Sequence, residues 1–234
     1  MKQLPLGVRW PDHSAFANFL TGPNSLVVEE LRSLAGGSGA TLVWIWGPAA
    51  SGKTHLLQAV CGEAGAAGRR AAYFPLQLRA QFAPAALGGC EQLDVVCIDD
   101  AECAAADGEW ERALFNLYNG MLDLQHHLLF AAQSPPTALR WTLPDLRSRL
   151  CAGLVLQVRP LTDGEQIAAL KLHAGVRGLE LPEDTAGYLM KRFPRDLRTL
   201  CALLDTLDTA ALAAQRRLTV PFIRQVIEER VAAG

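Results

Sequence analysis

Short contiguous apolar runs alternate, over the first two-thirds of the chain, with longer stretches in which apolar and polar positions recur at helical spacing. Apolar runs of four to six residues belong to strands buried on both faces, and amphipathic stretches to the helices that cover them. Five runs predict strands: 41–46, 71–74, 95–98, 128–132 and 154–158. Helices are expected over 54–67 and 113–125, with turns or loops at 36–39 and 84–89. Strands alternating with helices predict an α/β fold built on a five-stranded parallel sheet.

From Thr162 onward no strand candidate remains, only helical periodicity broken by Gly175, Gly178, Pro182, Pro194 and Pro221. Thr162 followed three residues later by Glu165 is a capping box and marks a helix start. Leu181-Pro182-Glu183 and Thr219-Val220-Pro221 mark two more, because proline is pre-organised for the first helical turn. The expected organisation is a flexible N-terminal segment, residues 1–12, an α/β domain over 13–160 and a small all-helical domain over 161–234.

Composition narrows the class. Half of the 234 residues are apolar and a fifth charged, which excludes a mainly disordered chain. No apolar run is long enough to span a bilayer, and Met1 to Leu6 lacks the apolar core of a signal peptide, so a cytoplasmic location is expected. The formal charge of −2 gives no global drive toward nucleic acid or an anionic membrane. Six cysteines without a CxxC pair make a disulfide framework or a zinc site improbable.

The strongest chemical signal is Gly47-Pro48-Ala49-Ala50-Ser51-Gly52-Lys53-Thr54, which fits GxxxxGK[ST] and falls between a predicted strand and a predicted helix. In such a loop small residues let backbone N–H groups converge on phosphates, the lysine neutralises them, and the threonine hydroxyl ligates Mg²⁺. Val95-Val96-Cys97-Ile98-Asp99-Asp100 is an apolar strand ending in two carboxylates. After a P-loop, the first such acid holds Mg²⁺ and the second polarises a water, which makes Asp99 the metal-site acid and Asp100 the catalytic one. Arg147 and Arg149 precede the fifth strand, and Arg195 and Arg198 lie in the helical region; exposed helical arginines usually face solvent, and position decides whether any of them meets a phosphate.

P-loop, acidic strand end, late arginines and helical tail in this order resemble the AAA+ ATPases. More narrowly the chain is similar to the DnaA-related family and, within it, to the Hda-type regulatory inactivators of DnaA. The likeness extends through Gln3-Leu4-Pro5-Leu6, Phe16-Ala17-Asn18-Phe19, Leu143-Pro144-Asp145-Leu146-Arg147-Ser148-Arg149-Leu150, Leu179-Glu180-Leu181-Pro182-Glu183-Asp184, Arg195-Asp196-Leu197-Arg198-Thr199-Leu200 and Gln215-Arg216-Arg217-Leu218-Thr219-Val220-Pro221-Phe222. The resemblance implies that Arg149 is an arginine finger acting in trans on ATP held by DnaA, and that Arg195 is the lid arginine that contacts bound ADP or ATP. It implies that Gln133 stands at the sensor 1 position, and that Gln3, Leu4 and Leu6 form a peptide for the DNA polymerase III sliding clamp, the beta subunit. DNA would be reached through the clamp, and homo-oligomers are conceivable. Residues 13–160 and 161–234 use up the chain, so the implied protein lacks the DNA-binding domain that DnaA carries after its lid and represses re-initiation of replication. The alternative is a DnaA-like or helicase-loader-type ATPase acting on nucleic acid by its own hydrolysis. Lys53, Thr54, Asp99 and Asp100 leave an intrinsic ATPase open; a P-loop kinase is disfavoured because the helical region is C-terminal and not inserted as a lid.

Overall fold

The computed structural model describes residues 14–193, 197–214 and 218–232. The chain divides after Pro160 into two compact units.

The first unit is built on β1 (Leu42–Trp46), β2 (Ala71–Pro75), β3 (Val95–Asp99), β4 (His127–Ala132) and β5 (Leu154–Gln157). All pairings are parallel, in the order β2-β3-β4-β1-β5. Successive side chains alternate between two cores. Val43, Ile45, Val95, Cys97, Leu129 and Ala131 face α1 (Ser25–Ala35) and α2 (Lys53–Ala66). Leu42, Trp44, Val96, Ile98, Leu128 and Phe130 face α3 (Gly108–Asp123) and α4 (Pro144–Ala152). Both faces being covered is the physical reason that the strands read as unbroken apolar runs.

Helix α3 begins five residues before the position that periodicity marks. Asp107 caps it, its Oδ1 accepting from the backbone of Glu109 and Trp110. The first turn, Gly-Glu-Trp-Glu-Arg, is too charged to read as a buried face, yet Trp110 and Glu111 are buried.

The strand order has a consequence for chemistry. Because β4 lies between β1 and β3, the segments leaving the C-terminal ends of these three strands emerge side by side. Trp46 is level with Ala132, and Ile98 with Phe130. Trp44, fully buried and stacked on Phe130 at 5.3 Å, donates its indole N–H to the Ser134 carbonyl at 3.1 Å and so ties the segment after β4 to β1.

The second unit holds α5 (Asp163–Val176), α6 (Glu183–Arg192), α7 (Leu197–Ala214) and α8 (Val220–Ala232) around a core of its own that includes Leu170, Leu189, Leu204, Leu207 and Ile223. The capping box forms: Thr162 Oγ1 accepts from the Glu165 N–H, and Glu165 Oε2 accepts from the Thr162 N–H at 2.8 Å. Pro182 is the N-cap of α6, and Pro221 the second residue of α8. Among the described residues no helix is long and apolar enough to cross a membrane.

Candidate phosphate-binding site

Residues 47–52 join β1 to α2 and leave the first turn of α2 facing the loop. Gly52, the N-cap, has φ +95°, and a Cβ there would lie 2.7 Å from the Phe19 ring. A Cβ on Gly47 would run into the Val158 carbonyl oxygen. Both glycines are therefore required by the packing. Ala50 also takes a positive φ, +60°. Ser51 Oγ is buried in the loop and finds no hydrogen-bond partner among the described residues.

Lys53 is the first residue of α2 and is 8% exposed. Its Nζ donates to the carbonyls of Gly47 and Pro48, both at 2.8 Å. Burial pulls its pKa below the usual lysine value, against the opposing pull of Asp99, Glu102 and Asp100.

At the end of β3, Asp99 is buried and saturated with donors. Its Oδ2 accepts from Thr54 Oγ1 at 2.7 Å and from the Tyr73 hydroxyl at 2.8 Å, and its Oδ1 accepts from the Asp100 N–H at 3.0 Å. Burial and the adjacent carboxylate push the Tyr73 phenol well above its ordinary pKa, so it serves as a donor at any working pH. Asp100 sits in a left-handed turn, φ +51°, half-buried beside it. Glu102 Oε1 accepts from the Gln133 N–H at 3.3 Å, while Oε2 is buried without a partner among the described residues. Gln133 itself is exposed and follows directly on β4, the strand that lies between β1 and β3.

The segment before α1 closes over the loop. Phe19 lies on Gly52 and 5.5 Å from the His55 ring, and His55 Nε2 pairs with the Ala15 carbonyl at 2.8 Å. Asn24, 1% exposed, grips the backbone of Arg159 twice: its Nδ2 donates to the Arg159 carbonyl at 3.0 Å, and its Oδ1 accepts from the Arg159 N–H at 2.8 Å.

The structure thus brings together Gly47 to Thr54, Asp99, Asp100 and Gln133. It does not bring Arg149 to them. Helix α4 returns from the C-terminal end of β4 to the start of β5, so Arg149, in its last turn, lies toward the N-terminal ends of the strands, opposite the end that carries the P-loop. There its guanidinium lies over the rings of Phe115 and Tyr118 on α3, 4.6 and 5.4 Å from their centroids. Arg147 is exposed on the same helix. Arg195, Gln3, Leu4 and Leu6 lie outside the described residues, as does the side chain of Arg198. Tyr73, Glu102 and Asn24 escape sequence reasoning. Tyr73 occupies a position in β2 in register with Cys97, where an aromatic residue signals only a strand.

A glycine-lined loop at a helix N-terminus, a buried lysine and a strand-end carboxylate joined to the loop threonine define a P-loop protein, on a sheet of order β2-β3-β4-β1-β5. The fold is shared with domain III of the replication initiation protein DnaA from Thermotoga maritima, at 20% identity over 94% of this chain and 98% of that one, with a TM-score of 0.76. AMPPCP-bound DnaA from Aquifex aeolicus is similar at 21% identity over 84% of this chain, TM-score 0.68, and this chain spans 65% of its length. The RuvB Holliday junction branch migration motor of Thermotoga maritima follows at 19% identity, 89% and 67% coverage and a TM-score of 0.62. Residues 163–227 match the family model described as "Hda, lid domain". In sequence order the chain thus carries an α/β unit of the fold seen in DnaA domain III and then a stretch, residues 163–227, that is similar to the Hda lid domain.

Proposed function

We propose that this chain is a nucleotide-bound regulator of replication initiation that presents Arg149 to ATP held by a DnaA molecule, promotes its hydrolysis, and is recruited to DNA through a sliding-clamp peptide at Gln3, Leu4 and Leu6. The observation that carries the reading is the placement of Arg149. A permanently charged, planar guanidinium on a short helix faces away from its own P-loop and rests on two aromatic rings, in a chain whose helical unit matches the Hda lid. An arginine supplied in trans stabilises charge developing on a transferring phosphoryl group and is worth about 10³–10⁵ in rate.

The chain's own site fits a nucleotide. The loop residues 47–54, with the unpartnered Ser51 hydroxyl and the Lys53 ammonium at the start of α2, would take the phosphates of ADP or ATP. Thr54 and Asp99, already joined, are the pair that would hold Mg²⁺. That the DnaA of Aquifex aeolicus binds AMPPCP supports the same ligand class here. Arg195 would contact the nucleotide from the lid, and Gln133 would face its phosphate end.

The test is turnover of DnaA-bound ATP with and without this protein, ADP and DNA-loaded clamp. Arg149→Ala should leave ADP affinity unchanged and remove the stimulation; full stimulation by the variant overturns the reading. A second reading, an ATPase that acts on nucleic acid by its own hydrolysis, is favoured by the complete set Lys53, Thr54, Asp99 and Asp100. It predicts ATP turnover by the protein alone that Asp100→Asn abolishes.

A further inference from the structure

Helix α4 begins without a cap of its own. Leu143, its N-cap residue, has no side-chain acceptor, and Pro144, its first residue, has no N–H. What stands there is Glu111 from α3, with no exposed surface at all. Oε1 accepts from the Ala106 N–H at 2.9 Å and the Thr142 N–H at 3.0 Å. Oε2 accepts from the Thr142 hydroxyl at 2.8 Å and the Leu143 N–H at 2.7 Å. A buried carboxylate satisfied by four donors is held rigidly, and its charge lies at the positive end of the α4 dipole.

Glu111, Phe115 and Tyr118 are spaced i, i+4 and i+7, so they share one face of α3. Helix α4 follows that face: its start is bound to Glu111, and Arg149, in its last turn, lies over the two rings. On the same helix Leu146 and Leu150 are fully buried in the core that α3 shares. The rings offer Arg149 a broad, weakly directional surface, whereas the hydrogen bonds to Glu111 are directional.

We infer that Glu111 is the positioning residue of the arginine-bearing helix: it fixes the rotation and advance of α4 along α3, and through them where Arg149 meets the partner's nucleotide. The inference rests on Arg149 acting in trans, as proposed above. Catalysis by a positioned charge is steep in geometry, a misplacement of about 1 Å costing about a hundredfold in rate.

The experiment measures DnaA–ATP hydrolysis as this protein is titrated in, with ADP and loaded clamp present, for the full-length protein and four variants. Glu111→Gln keeps one acceptor oxygen and sets an amide N–H₂ against the donors at Thr142 and Leu143. It should lower the maximal stimulation about tenfold or more, while the concentration giving half of that maximum and the affinity for ADP change by less than about twofold. Leu34→Val, a core change in α1 on the other face of the sheet, reports what general destabilisation does and should retain full maximal stimulation at a comparable melting temperature. Thr142→Val removes only one donor and serves if Glu111→Gln does not fold; it should lower the maximum about threefold. Wild-type maxima in the Glu111 and Thr142 variants overturn the inference, as does an equal loss in Leu34→Val. Arg149→Ala separates the two levels: if it still stimulates, the trans-acting arginine falls and Glu111 with it, and if it is silent while Glu111→Gln is fully active, only the role of Glu111 falls.

Discussion

Lys53 donates to carbonyls of the very loop it belongs to, so an incoming phosphate must draw the ammonium away from Gly47 and Pro48. A charge held in a desolvated place is worth more to an anion than one in water, and it is also easier to lose. Lys53→Met should lower ADP affinity by about a hundredfold or more. Because burial lowers the Lys53 pKa, the wild-type protein should lose ADP affinity as pH rises at a lower pH than the ordinary lysine value of 10.5. Calorimetric titration across that range checks it; constant affinity up to 10.5 contradicts it. A second titration concerns stability. His127, on β4, accepts from Arg69 Nη2 at its Nδ1, 3.1 Å away, and burial, then the guanidinium, lower its pKa below 6.5. Between the lowered value and 6.5 the unfolded chain binds a proton that the folded one refuses, so stability rises with pH in that window and is lost on acidification. Thermal unfolding from about pH 7.5 to about pH 5.5 should show the loss, and His127→Gln should flatten it.

The start of α2 is the element on which the phosphate site depends most. Gly52→Ala places a side chain at φ +95° and against Phe19, which should cost about 1–3 kcal/mol and weaken ADP binding. Adding Phe19→Ala relieves the collision and leaves the backbone strain, so the double variant should recover part of the stability in thermal melts; no recovery means that Phe19 does not bear on the loop. The same elements show what a sequence displays and what it hides. The five strands are legible because burial on both faces writes them as apolar runs, and α2 because the P-loop announces it. The first turn of α3 is hidden because Glu111 looks like a solvent-facing charge until its donors, 31 and 32 residues away, are placed around it. Asn24 is hidden for the same reason, its partner lying 135 residues on. At the site, Asp99 follows from its position at a strand end, but Tyr73 does not, since its hydroxyl reaches Asp99 only through the pairing of β2 with β3. Periodicity tells which face a residue is on; it does not tell which groups on another element that face meets.

At the scale of the whole chain, each unit has its own hydrophobic core, so variants in one should leave the other's fold intact. Deleting residues 1–8 should therefore leave melting temperature and ADP affinity as they are while removing co-elution with the sliding clamp; persistent co-elution would place the clamp contact elsewhere. The contacts of Ala15 with His55 and of Phe19 with Gly52 set a geometric limit on the proposed clamp peptide. They fasten the chain beside the P-loop, and the twelve residue-to-residue steps from Gln3 to Ala15 can span at most about 40 Å. If Gln3 binds a clamp as proposed above, the clamp would lie within that distance of the phosphate site. On the function proposed above, Arg149 would then reach only DnaA molecules that sit close to the clamp, and tether length by itself would keep the regulation local to that stretch of DNA.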